Sequence, residues 1–171
     1  VWLEVDTTVS ADGSRKPCFH YHPGLKWLVD NDYNPAKHKC VEIGKAATYA
    51  RQGERSRRVM LHELAHSYHN RFLGFSDKRI LSAYKTAKAS GKYPGKIYAM
   101  TDFKEYFACL TVWCFEKDDR RKTALDRDPA GMKLVADIWG APRHRFGDDV
   151  IEFKGDKRKM VRVADELSVT P

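Results

Sequence analysis

The chain reads as an α+β protein, and three observations point there. Short β-rich segments sit near the front, at 1–8, 18–21 and 41–43. After residue 55 the apolar residues recur at helical spacing. With 171 residues and 42% hydrophobic composition, the chain is long enough to bury one sizeable core, and few strands before a run of helices is the α+β order.

Val1 to Thr8 alternates and is β-rich, so it is expected as a strand. Asp12-Gly13-Ser14 marks a turn, and Cys18 to Tyr21 continues as a second strand. Leu25 to Asp30 reads as a short helix, ended by the turn-prone Asn31-Asp32-Tyr33-Asn34-Pro35. Val41 to Ile43 is extended and leads through a loop into a helix from about Ser56 to Leu73. Ser76-Asp77 is a cap for the next helix, expected from about Asp77 to Ser90 and stopped by Gly91. A loop with Pro94-Gly95 follows, then a helix from about Thr101 as N-cap to Phe115, and a last helix from Pro129 to Trp139, stopped by Gly140. Residues 1–140 are expected to form the domain, with 141–171 as a basic extension of it.

The helix from Ser56 carries His62-Glu63-Leu64-Ala65-His66. Histidines four apart lie about 40° apart around a helix axis, so both rings can reach one ion. Zn²⁺ binds such nitrogens, and Glu63 beside the first ligand is placed to take a proton from water, as in metalloprotease sites. Leu61, Leu64 and Ala65 surround the polar triplet, which argues against an ordinary charged helix face. A zinc that does chemistry needs a third protein ligand and an open fourth position. The extended motif with a Gly and a further His downstream fails, because those positions hold His69 and Phe72. Glu105, opening the apolar run of the later helix, is the best candidate; the competing reading is a carboxylate that merely favours the positive end of its own helix.

His62-Glu63-Leu64-Ala65-His66, followed by Tyr98 and by Glu105 in a Glu-x-Phe-Ala setting, resembles the glutamate-zincins related to anthrax lethal factor and the Pro-Pro endopeptidases. It is more similar still to secreted bacterial metallopeptidases with a "YALTN…EYFAE" segment. The resemblance covers about 2–140. It implies a zincin-like fold, a small twisted sheet with an edge strand over the cleft, then a metal-binding helix and a glutamate-bearing helix. It implies one zinc ion on His62, His66 and Glu105, Glu63 as general base, and Tyr98 as hydrogen-bond donor to the oxyanion. One departure is Cys109, where the family usually has a second Glu; together with His69, Cys109 is expected in the shell behind the ligands. The edge strand of such a cleft is expected at Val41-Glu42-Ile43-Gly44, where a peptide would add as an extra strand, with Gly44 allowing close backbone approach.

The implied activity is a zinc-dependent endopeptidase acting on peptide or protein. Two other readings stay open: a catalytically weak binding module on the same fold, favoured by Cys109, and a basic polyanion-binding protein with structural zinc. Thirty-one Lys plus Arg against 23 Asp plus Glu give a net charge of +8. The basic residues cluster at 51–58, 117–122 and 154–162, runs that are usually solvated faces. No aromatic interleaving marks a base-stacking platform, so no specific nucleic acid is expected. The longest apolar run, 106–115, is too short to span a bilayer, and a monomer is expected. Four cysteines form no Cys-x-x-Cys pair. Cys18 and Cys40 are placed to close a loop as a disulfide, about 3 kcal/mol in the loop-entropy model, which favours a secreted location. Cys109 and Cys114, in one helix, read as thiols. His20 and His22 alternate as strand neighbours and form a weak candidate for a second metal site.

Overall fold

The computed structural model describes residues 1–4, 19–94 and 96–140. A small three-stranded sheet stands at one side of a helical assembly. Its strands are β1 (Trp2–Leu3), β2 (Phe19–Tyr21) and β3 (Val41–Ile43), in the order β1-β3-β2. β3 pairs parallel with β1 (Trp2 opposite Glu42) and antiparallel with β2 (His20 opposite Glu42). The fold is therefore mixed α+β and mostly helical, as the sequence predicts. The helices are α1 (Leu25–Asp30), α2 (Ala46–Arg51), α3 (Glu54–Tyr68), α4 (Lys78–Ala89), α5 (Phe103–Phe115), α6 (Asp119–Arg127) and α7 (Pro129–Trp139).

The sheet order corrects one expectation. Val41, Glu42 and Ile43 form the central strand, hydrogen-bonded on both sides, and not an edge. Val41, Glu42, Ile43 and Gly44 are all buried, so no peptide can add there. The reason is the N-terminal strand, which returns to cover the flank of β3 that would otherwise be open. Glu42 is also spoken for. Its carboxylate meets the His22 ring at 2.6 Å and the Lys37 ammonium at 2.8 Å, and Lys37 pairs with Glu4 at 2.9 Å as well. A buried carboxylate needs such partners, and these fix the sheet's back face instead of facing a cleft.

The main core lies among α3, α4, α5 and α7. Tyr106, Phe107, Leu110, Ile80, Met132 and Val135 are buried there. α5 is apolar nearly all round and runs through the middle, packing on α3 along one side and α7 along another. A buried knot ties α7 to α5: Asp128 caps α7 by accepting from Gly131 N–H (2.9 Å) and also accepts from the hydroxyls of Tyr106 (2.6 Å) and Tyr93 (3.3 Å). No helix among the described residues is long and apolar enough to cross a membrane.

Several element boundaries differ from the sequence reading. α3 ends at Tyr68 and the chain continues as a π-helical turn over His69–Leu73. Asp102, not Thr101, caps α5. Of the first expected strand only Trp2–Leu3 falls on a described strand, because residues 5–8 lie outside the described residues. Cys18 and 141–171 also lie outside them. Cys40, Cys109 and Cys114 are free thiols.

Candidate metal centre

Local structure on two helices builds the site. Gly53 precedes α3 at φ 51°, a left-handed conformation that favours glycine, and the helix starts at the next residue. α3 then carries His62 and His66 on the face turned towards α5. On the facing helix, the Asp102 side chain accepts from the backbone N–H groups of Lys104 (2.7 Å) and Glu105 (3.0 Å). This cap shapes the first turn of α5, and that turn presents Glu105 to α3.

The three side chains converge. His62 Nε2 lies 2.9 Å from Glu105 Oε2 and 3.0 Å from His66 Nε2, and His66 Nε2 lies 3.4 Å from the same carboxylate oxygen. Ligand atoms about 2.1 Å from a tetrahedral centre are about 3.4 Å apart, so these separations are close to those that one ion demands. Among the described residues they form the one group of three or more such side chains whose donor atoms all lie within 4.8 Å. Without an ion, one imidazole N–H can donate to the other ring's lone pair. With both rings neutral and unprotonated at Nε2, the two lone pairs and the carboxylate form the nitrogen–oxygen donor set that zinc takes, so these residues fit zinc.

In the metal-free site burial works to raise the Glu105 pKa. Hydrogen bonds and charge from His62 and His66 outweigh it and hold the carboxyl well below its usual range. The carboxylate is thus available as an anionic ligand at any ordinary pH.

Glu63 lies against β2, close enough to His66, His62 and Glu105 for their charges to act on it. It is 8% exposed, and its Oε2 accepts the backbone N–H of Tyr21 in β2 at 2.8 Å. Among the described residues its Oε1 accepts no hydrogen bond. Burial raises the Glu63 pKa; His66, His62 and the Tyr21 N–H pull against that rise.

Tyr98 opens a 3₁₀ turn, Tyr98–Met100, that leads into α5. Its ring centroid lies 6.0 Å from that of His62, and the residue is 61% exposed. Burial at its hydroxyl end and the nearby negative Glu105 push that hydroxyl up to about 12. It stays a neutral donor at working pH. Tyr106, the next aromatic along, is instead consumed by Asp128 inside the core.

Cys109 lies beside the His62 ring, its Sγ 4.0 Å from His62 Nδ1. Burial, then the charge of Glu105, pushes the thiol up to about 12, so it is protonated. His69 makes no such contact. It is fully buried, edge-on to Phe75, Phe103 and Phe107, with neither ring nitrogen hydrogen-bonded. It is core packing. The rings of His20 and His22 lie 4.2 Å apart, and among the described residues they belong to no group of three such side chains with donor atoms within 4.8 Å.

Two contributors went unread in the sequence. Asp102 with Glu105 three residues on is a capping-box pattern that was legible. The Tyr21 N–H was not, since a backbone donor has no residue signature.

No family model matches this chain, and neither a curated protein nor a solved structure is similar to it.

Proposed function

We propose that the protein is a zinc-dependent endopeptidase. One observation carries the reading: donor atoms of His62, His66 and Glu105 converge within 4.8 Å of one another, near a buried carboxylate, Glu63, with one oxygen held by the Tyr21 N–H. His62, His66 and Glu105 would hold the ion. Zinc bound there would act as a Lewis acid, making water easier to deprotonate and a carbonyl more electrophilic.

The chain's own residues supply the rest. Glu63, raised by burial, takes a proton at Oε1 and returns it to the departing amine, the base-then-acid role. The Tyr21 N–H keeps Oε2 out of that exchange and fixes the plane of the carboxylate. Tyr98 donates to the oxygen on which negative charge develops, and its high pKa keeps that donor protonated.

The test is a peptide-library digest with zinc-loaded protein and its Glu63→Gln variant. Cleavage by the wild type, with zinc retained and cleavage lost in the variant, supports the reading. Equal rates in both, or a fully zinc-loaded wild type that cleaves nothing, overturns it.

A further inference from the structure

We propose that an acidic-apolar segment of a polypeptide substrate docks in a groove beside the metal centre, about four residues from the bond that is cut. This rests on the peptidase reading and adds a second recognition site to it. Two hollows, of about 400 and 150 Å³, meet at Tyr93 and Ile97. Ile97 immediately precedes Tyr98, and Trp113 follows Glu105 two turns later on α5. The groove is thus lined by the same two segments that carry Tyr98 and Glu105.

Its floor and rim differ in chemistry. Ile97, Trp113 and Ala124 make the smaller hollow mainly apolar, a shape suited to one aliphatic side chain. Tyr93 forms the shared wall, its hydroxyl held by Asp128. Around the rim stand Lys88, Lys96, Arg120 and Arg127, and no acidic side chain lines either hollow. Arg120 already pairs with Asp118 at 2.6 Å, and Lys88 donates to the Tyr84 hydroxyl at 2.9 Å. Lys96 and Arg127 have no carboxylate within ion-pair distance among the described residues. Uncompensated positive charge over an apolar floor selects a chain carrying carboxylates on either side of a Leu- or Met-like residue.

The span sets the register. Eight helical residues from Glu105 to Trp113 cover about 12 Å, which an extended peptide crosses in about four residues at roughly 3.3 Å each. A peptide is favoured over a nucleic acid because the Tyr93 ring is only 9% exposed and offers no free face for stacking.

The test measures binding apart from hydrolysis. Fluorescein-labelled acetyl-Asp-Glu-Leu-Asp-Glu-amide and its Asn/Gln counterpart are titrated by anisotropy into the full chain carrying Glu63→Gln. The acidic peptide is expected to bind at least about fivefold tighter than the neutral one. Lys96→Glu with Arg127→Glu should weaken it about tenfold, and Thr123→Phe, at an exposed position on the small hollow, should weaken both peptides. Melting curves check that each variant folds. Equal affinity for the two peptides, or unchanged affinity in the folded variants, overturns the proposal. So does an oligonucleotide of equal charge that binds as tightly and loses affinity in the same variants. Since no step requires cleavage, failure of the peptidase reading would leave these affinities standing.

Discussion

Tyr21 holds α3 at one point and the π-helical turn that continues it at another. Its backbone N–H meets Glu63 Oε2 at 2.8 Å, and its hydroxyl meets Asn70 Oδ1 at 2.8 Å. The first bond favours the ionised Glu63. Tyr21 lies on an edge strand, and this N–H points out of the ladder, so proline there breaks no sheet hydrogen bond. Tyr21→Pro should raise the Glu63 pKa by removing that donor. A base that needs a higher pH to ionise moves the acid limb of the kcat/KM profile upward. Tyr21→Phe keeps the N–H and should leave that limb in place.

The ligand set makes a separate prediction about zinc affinity. His62→Ala and Glu105→Ala should each weaken zinc binding by more than about 100-fold, since loss of an orienting partner alone costs about 10–100-fold. Cys109→Ala removes only a weak sulfur contact behind His62 and should cost tenfold or less. Competition with a chromogenic chelator reads all three.

Gly131 tests the buried knot. A Cβ there would sit 2.1 Å from the Tyr106 hydroxyl and 2.4 Å from Asp128 Oδ2. Both atoms are held by each other, so neither can withdraw without an unmade buried hydrogen bond. Gly131→Ala should destabilise the fold by about 2–4 kcal/mol, seen in urea denaturation. Tyr106→Phe, which only deletes the bond, should cost less, about 1–3 kcal/mol.

His69 predicts the acid response. Burial, with the charge of His66 next, pulls its pKa down from 6.5 to about 4. The unfolded chain therefore takes up a proton below pH 6.5 that the folded chain refuses until about pH 4. Stability is unpenalised above pH 6.5, falls through this window, and levels off below it. The full penalty is about 3 kcal/mol. Melts of His69→Leu between pH 7 and 4 should show a shallower decline than the wild type. An identical slope would remove His69 as the cause.

What the sequence made legible follows from where its signals are local. The span of α7 was readable in full, from Pro129 at its first turn to Gly140 after its end. α3 and α5 were readable by apolar spacing; their starts were less so, since Gly53 precedes α3 with no side-chain cap and Asp102, not Thr101, caps α5. Two helices were missed. α2 covers Ala46–Arg51 and buries none of its residues, so no periodicity announced it. α6 begins in the charge run 117–122 read as a solvated face and extends past it; it buries only Ala124 and is capped by Asp118. That His62, His66 and Glu105 come together was legible by spacing and context. The misplaced edge at Val41–Gly44 was not a local error. Which flank of a strand stays open depends on a partner forty residues away in the chain, and no property of Val41 or Ile43 encodes it.

The sheet has a consequence for how the protein fails on heating. It has three strands of two or three residues each, whereas the main hydrophobic core lies among the helices. Units with few buried apolar contacts open at lower free energy than the global fold. Glu63 borrows its hydrogen bond from that weaker unit, while His62, His66 and Glu105, the proposed zinc ligands, belong to the stronger one. Hydrogen exchange at Tyr21 should therefore be faster than in α5. Thermal inactivation should begin below the melting of the helices, with the metal still bound and the proton acceptor released into solvent.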